Sequence, residues 1–319
     1  MYSLFQHPFI TYTFVLSSAL AVLAAIALRL APQRSVHRNW LYAAPLVVPV
    51  LSYVINYVLI GKTCEYSHSH YSYIGFLQDL PSYHLLCQLN YRITSWVAPV
   101  SLIWLAFSLS AYGLAWCRTY RLLRHLPPAS KGDARARGVL DSLCNEQDVK
   151  PPALRALDYP YPLMFTGGTG GRVVTVSTGA LDLLDDDELR AALAHELAHI
   201  RRNGHVLNWF LVLCRNLTFF SPAALWSYAA FRAEEEQVCD ALAASQTGLG
   251  AELASAIVKF MRHGDRTKWA HSLASLSPGG NPGVARVKRL LDAPVANTER
   301  SRWVYALLAL LSIGSVFIC

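Results

Sequence analysis

Charge is what this sequence has least of. Only 15% of the 319 residues are Asp, Glu, Lys or Arg, whereas 53% are hydrophobic and the mean hydropathy is +0.27. Soluble chains carry about 25% charged residues, so the composition argues against an ordinary soluble globular protein. The scarcity is also patterned. Pro8–Leu28, Asn39–Gly61 and Ile93–Cys117 contain no charged side chain at all, and each is long enough to cross a bilayer as a helix of roughly 20 residues. Trp303–Cys319 is a fourth, shorter candidate. The amino terminus lacks the basic region of a signal peptide, so the first stretch is expected to stay as an anchor.

Other absences narrow the function. The soluble part has no basic recognition helix and no nucleic-acid motif, so the net charge of +7 is not assigned to direct nucleic-acid binding. It is assigned instead to membrane borders, where basic residues face anionic headgroups. The glycine run of Thr166–Gly171 opens a strand, Arg172–Ser177, whereas a phosphate loop opens a helix; nucleotide binding is excluded on that ground. Cys117, Cys144, Cys214, Cys239 and Cys319 show no metal-binding spacing.

Basic residues set the expected orientation. Arg29, Arg34 and Arg38 lie in one short link, and Arg118–Gly138 carries six Lys or Arg against one acid, Asp133; both are expected to be cytoplasmic. The nearly neutral loop Lys62–Arg92 then lies outside. It contains Cys64 and Cys87, which an oxidising compartment would let pair, although two free thiols fit as well. Its histidines, His68, His70 and His84, have no diagnostic spacing. The domain plan is a three-span region over 1–117, a cytoplasmic domain over 118–302 and a last helix over 303–319. The amino and carboxyl termini are outside.

What is present is His195-Glu196-Leu197-Ala198-His199, within Asp185–Asn203. Asp185 and Glu188 have capping-box spacing, and Leu189, Leu193, Leu197 and Ile200 form an apolar stripe, so the segment reads as a helix. His195 and His199 then project from one face. Two imidazoles supply two of the three protein ligands of a catalytic zinc. In Arg232–Asp240, Glu236 and Asp240 also share a helix face, which gives a third ligand and a carboxylate to hold the far nitrogen of a ligand histidine. The plainer alternatives are a pair of core histidines and a solvated acidic face at Glu234–Glu236. With zinc bound, Glu196 is the expected general base. Candidates for stabilising the oxyanion are His205, Tyr228 and Arg232, and Arg232 is equally well placed to pair with Glu236.

The surroundings predict a helix over Ala134–Glu146, an irregular stretch from Pro151 to Pro162, and a flexible hairpin at the glycines. Helix is expected from Asp240 to about His263, with a connecting loop over Ser275–Gly283. In the strand, Val173, Val174 and Val176 are the candidates for edge pairing with an extended substrate. Val206–Phe231 is apolar enough to span, but a crossing would put His195 and Glu236 on opposite sides of the membrane. Arg215-Asn216 interrupts it and Ser221-Pro222 supplies a turn. It reads as a re-entrant or membrane-associated helical hairpin, or as a soluble helix pair with an apolar core.

Ala192–Arg202, Glu236-x-x-Cys239-Asp240 and Arg286–Leu291 resemble the BlaR/MecR-type membrane metallopeptidases, the signal transducers of β-lactam resistance. HtpX-type and CAAX prenyl proteases share the His-Glu-x-x-His and Glu-x-x-x-Asp parts, and Cys239 tips the likeness toward BlaR/MecR. The resemblance covers about residues 118–302. It implies a mainly α membrane protein with four transmembrane helices and a gluzincin-type zinc peptidase domain bearing a small β element. His195, His199 and Glu236 would be the ligands of one Zn2+, Glu196 the base, and Asp240 the carboxylate behind a ligand. One departure is Asn203-Gly204-His205, where an acidic residue is expected soon after the helix; His205 either replaces a structural contact or ends the helix. The implied setting is the bacterial inner membrane, with a protein or peptide substrate such as a cytoplasmic transcriptional repressor. Such transducers carry a penicillin-binding sensor after the last span, and this sequence reads to Cys319. The signal is therefore expected through Lys62–Arg92 or a separate sensor protein. The alternatives are constitutive quality control or peptide maturation, and a non-catalytic zinc-stabilised scaffold, against which Glu196 argues.

Overall fold

The computed structural model describes residues 9–30, 39–55, 103–104, 106–118, 120–121, 134–167, 173–202, 204–264 and 282–292. The chain forms two compact units. One comprises Met1–Gly113, Leu211–Phe231 and Glu299–Cys319, and the other Leu114–Phe210 and Arg232–Thr298.

In the first unit, helix α1 (Phe9–Leu30) packs on α2 (Asn39–Tyr53), with Ala27, Leu28 and Leu41 buried together. Large apolar side chains on α1, Phe14, Val15, Val22, Leu23 and Ile26, stay exposed. Among the described residues, no helix is long and apolar enough to cross a membrane. Of the expected spans, Pro8–Leu28 falls on α1, Asn39–Gly61 is described as far as residue 55, Ile93–Cys117 is described only in its second half, and Trp303–Cys319 lies outside the described residues.

The second unit is built around one buried helix. Its elements are α3 (Ala134–Glu146), strands β1 (Ala153–Leu157), β2 (Met164–Gly167) and β3 (Val173–Ser177), a short α4 (Thr178–Leu183) and α5 (Asp186–Arg201). Helices α6 (Gly204–Leu217) and α7 (Pro222–Thr247) run out of this unit and back into it, followed by α8 (Gly250–His263) and α9 (Pro282–Asp292). The stripe expected on α5 is the core: Leu189, Leu193 and Leu197 are fully buried, against Leu140 and Leu143 of α3, Val174 and Val176 of β3, and Leu253 and Ala256 of α8. The capping box forms as expected. The Glu188 amide donates to Asp185 Oδ1 at 2.9 Å, and the Asp185 amide donates back to Glu188 Oε2 at 3.0 Å.

Two expectations change. Ala153–Leu157, expected to be irregular, is a strand parallel to β3. Its sequence lacks β-branched residues, and pairing with β3 supplies what propensity does not. The helix expected to run through His263 breaks at Gly248, whose φ of +73° suits glycine at a helix end. The turn expected at Ser221-Pro222 is present: α6 runs to Leu217, residues 218–221 make the turn, and Pro222 starts α7, where the Ala224 amide donates to Ser221 Oγ at 3.3 Å.

The sheet order is β1-β3-β2. β3 therefore has β1 parallel on one side and β2 antiparallel on the other. This corrects the role expected of Val173, Val174 and Val176: a central strand has no free edge for a substrate, and Val174 and Val176 are wholly buried.

Candidate metal centre

Helix α5 carries His195 and His199 one turn apart, and α7 brings Glu236 to them. The two Nε2 atoms are 3.2 Å apart, and Glu236 places Oε2 3.5 Å from His195 Nε2 and Oε1 3.7 Å from His199 Nε2. Tetrahedral ligands about 2.1 Å from a zinc ion stand roughly 3.4 Å from one another. Two imidazole nitrogens and a carboxylate at these spacings fit that donor set. Further side chains surround it. His195 Nδ1 lies 2.9 Å from Asp240 Oδ1, so Asp240 can hold the ring from behind. His199 Nδ1 lies 3.3 Å from Cys239 Sγ. Arg232 Nη2 is 3.3 Å from Glu236 Oε1, the pairing its spacing suggested. Glu196 lies between the histidines on α5, and Thr166 Oγ1 of β2 donates to its Oε2 at 2.5 Å.

A second group, His199, Glu235 and Cys239, also lies within ligating distance. There Glu235 is committed elsewhere: Arg202 donates Nε to its Oε1 at 2.7 Å and Nη2 to its Oε2 at 2.9 Å. The His195, His199 and Glu236 set is the one that opens to solvent. It lines a cleft of about 520 Å3 with Glu196, Thr166, Arg232 and Arg286, whose apolar wall includes Met164, Phe165, Ile257, Phe260 and Met261.

The electrostatics are uneven. Burial pushes His195 down, but Asp240 and Glu236 outweigh it and raise the ring to about 10. His199, with no such hydrogen bond from a carboxylate, is lowered by its burial. Burial opposes ionisation of Glu236 and Asp240, yet both are lowered, Glu236 by the His195 hydrogen bond and Asp240 first by that of Arg286. The thiol of Cys239 is raised, by burial above all and then by Glu235 and Glu236.

A profile of the BlaR1 peptidase M56 family matches residues 9–277. The chain belongs to that family. It is also similar to a protease HtpX homolog of Bacteroides fragilis, 26% identical over 165 residues, which are 50% of this chain and 46% of that protein. Protease HtpX homolog 1 of Saccharolobus solfataricus is 41% identical over 61 residues, 18% of this chain and 20% of the relative. An Aquifex aeolicus HtpX homolog is 32% identical over 92 residues, 28% and 30% of the two chains. The chain thus spans about half the length, or less, of the curated relatives it matches.

Of the residues singled out by sequence, His195, Glu196, His199, Arg232, Glu236 and Asp240 come together in this peptidase fold. Tyr228 does not line the cleft; its ring lies under the Arg215 guanidinium at 4.9 Å. The His205 side chain, Cys64, Cys87 and the Lys62–Arg92 histidines lie outside the described residues. Two site residues carried no assignment from sequence: Thr166, hidden beside the glycine run, and Arg286, noted only as part of the family-like Arg286–Leu291 segment.

Proposed function

We propose that the protein is a membrane-embedded zinc endopeptidase of the gluzincin type that cuts at the cytoplasmic face. The observation that carries this reading is the convergence of His195 Nε2, His199 Nε2 and a Glu236 carboxylate, with the Glu196 carboxylate in the same cleft. A bound zinc would acidify its water and polarise a scissile carbonyl. Glu196, held by Thr166, takes the water proton and returns it to the leaving amine. Arg232, which lines the cleft beside Glu236, is a candidate donor to the oxyanion. An extended substrate would pair with β2, one of the sheet's two outer strands, whose Met164, Phe165 and Thr166 line the cleft.

The membrane part of the proposal rests on the charge-free stretches and on the exposed apolar face of α1. The substrate proposed is a cytoplasmic repressor cut in response to an outside signal, with quality control or peptide maturation as the alternative. The test is zinc content and cleavage in one preparation. The wild type should bind about one zinc per chain. Glu196→Gln should keep the metal and lose peptide hydrolysis by at least about a hundredfold. Proteins that accumulate uncut in cells carrying Glu196→Gln identify the substrate, and a folded, zinc-loaded Glu196→Gln enzyme that cleaves as well as wild type removes Glu196 from the mechanism.

A further inference from the structure

Glu236 and Asp240 are carboxylates one turn apart on α7, Asp240 buried and Glu236 half-buried, and left to themselves they repel. A single side chain answers both. Arg286 of α9 donates Nε to Asp240 Oδ2 and Nη2 to Asp240 Oδ1, each at 2.7 Å, and its Nη1 lies 3.2 Å from Glu236 Oε2. All three guanidinium nitrogens are thereby used, and the carboxylates they hold are the third candidate ligand and the group behind His195 Nδ1. Only 21% of the Arg286 side chain is exposed, against 36% for Arg232, the other cation on Glu236. Its reach depends on how α9 seats on α8. A Cβ built on Gly283 would fall 2.4 Å from Met261 Sδ, so the first turn of α9 approaches α8 as closely as glycine permits.

We infer that Arg286 is the positioning residue of the metal centre: it aims the Glu236 carboxylate into the site directly and fixes the His195 ring through Asp240. This rests on the zinc reading above and adds to it a residue outside the candidate ligand set. A planar fork of three nitrogens can serve two carboxylates in fixed directions, which the single ammonium of lysine cannot. The chain Arg286, Asp240, His195 therefore carries orientation as well as charge.

The test uses the full-length protein in detergent and reads zinc affinity by competition with a chromogenic chelator, the visible spectrum of the cobalt(II)-substituted protein, and the Tm of the metal-free form. Arg286→Gln should weaken zinc about 10- to 100-fold and change the cobalt spectrum. Arg286→Lys should recover the metal-free Tm and leave zinc weakened, because charge returns without the fork. Asp240→Asn should weaken zinc too, and adding Arg286→Gln to it should cost clearly less than in the native background. A purely structural arginine would move the Tm and leave affinity and spectrum alone. Wild-type zinc affinity in folded Arg286→Gln overturns the inference. So does wild-type affinity in Arg286→Lys, which also decides the matter if the glutamine variant does not fold. Full additivity with Asp240→Asn overturns the route through Asp240. A wild-type chain that binds no zinc removes the metal reading itself, and with it this inference.

Discussion

At the residue scale the sharpest consequence concerns His195. Its pKa is raised from the ordinary 6.5 to about 10 because Asp240 and Glu236 favour the charged ring over the opposition of burial. A raised folded-state pKa contributes stability that is complete below the unfolded value and is lost as pH rises through the folded one. The Tm of metal-free protein should therefore fall between about pH 6.5 and pH 10, and a His195→Gln variant should lose most of that slope; an equal slope in both assigns the stabilisation elsewhere. Zinc binding needs the neutral ring, so it should release protons and weaken as the solution is acidified. The clustering of the candidate ligands was legible in the sequence for a simple reason. Residues four apart on a helix share a face whatever the tertiary fold, so the pairs His195–His199 and Glu236–Asp240 could be read from spacing. Thr166 and Arg286 reach the same cleft from β2 and α9, and their approach is set by packing that no local spacing encodes.

At the scale of elements, α5 is held by its first turn. Glu188 is 3% exposed and takes three further partners: the Asp185 amide, the Ser255 hydroxyl at 2.7 Å and Lys259 Nζ at 2.5 Å. It thus joins the cap of α5 to α8. Removing it strands a partly exposed lysine and loses a reciprocal cap, so Glu188→Ala should cost about 3 kcal/mol, whereas Asp185→Ala, which removes one capping acceptor, should cost about 1 kcal/mol. Equal midpoints for the two variants in denaturant would remove the α5–α8 link from the account. The strands carry another prediction. The Ser177 amide donates to the Leu163 carbonyl at 2.9 Å, and the antiparallel register pairs Phe165 with Thr175. By the alternation of such a ladder, the amides of Met164 and Thr166 point away from β3, toward the outer edge. Met164→Pro should then keep fold and zinc but impair cleavage relative to Met164→Ala, which matches the lost side chain and keeps the amide. Equal rates for the two would discard edge pairing. The alternation of Val173–Ser177 revealed a strand but not its place in the sheet. The centre position of β3 follows from β1, whose Ala-Leu-Arg-Ala-Leu sequence has little strand signal of its own.

At the scale of the molecule, the question is how an apolar segment can sit between the proposed ligands of one metal. Leu211–Phe231 belongs to the first unit, while the chain on both sides of it belongs to the second. Asn208, just before the excursion, and Arg232, just after it, line the same cleft. The excursion therefore begins and ends at one place, and His195 and Glu236 meet within 3.5 Å. A single crossing of a membrane by this segment would separate its ends by the roughly 30 Å of a hydrocarbon core. Two helices joined by the turn at 218–221 can instead enter an apolar layer and return, their backbone groups satisfied within each helix except at the turn. The turn supplies its own partners: the Thr218 amide donates to the Cys214 carbonyl at 3.0 Å, and the Ser221 amide donates to the Thr218 carbonyl at 2.9 Å. A reporter of compartment inserted after Gly204 and another after Gly248 should therefore both report the cytoplasm, as should one in Arg118–Gly138, where basic residues mark that side. Opposite compartments for the Gly204 and Gly248 reporters would mean that the segment crosses the membrane. His195 and Glu236 could not then share an ion, and the zinc centre assembled here would not exist in the cell.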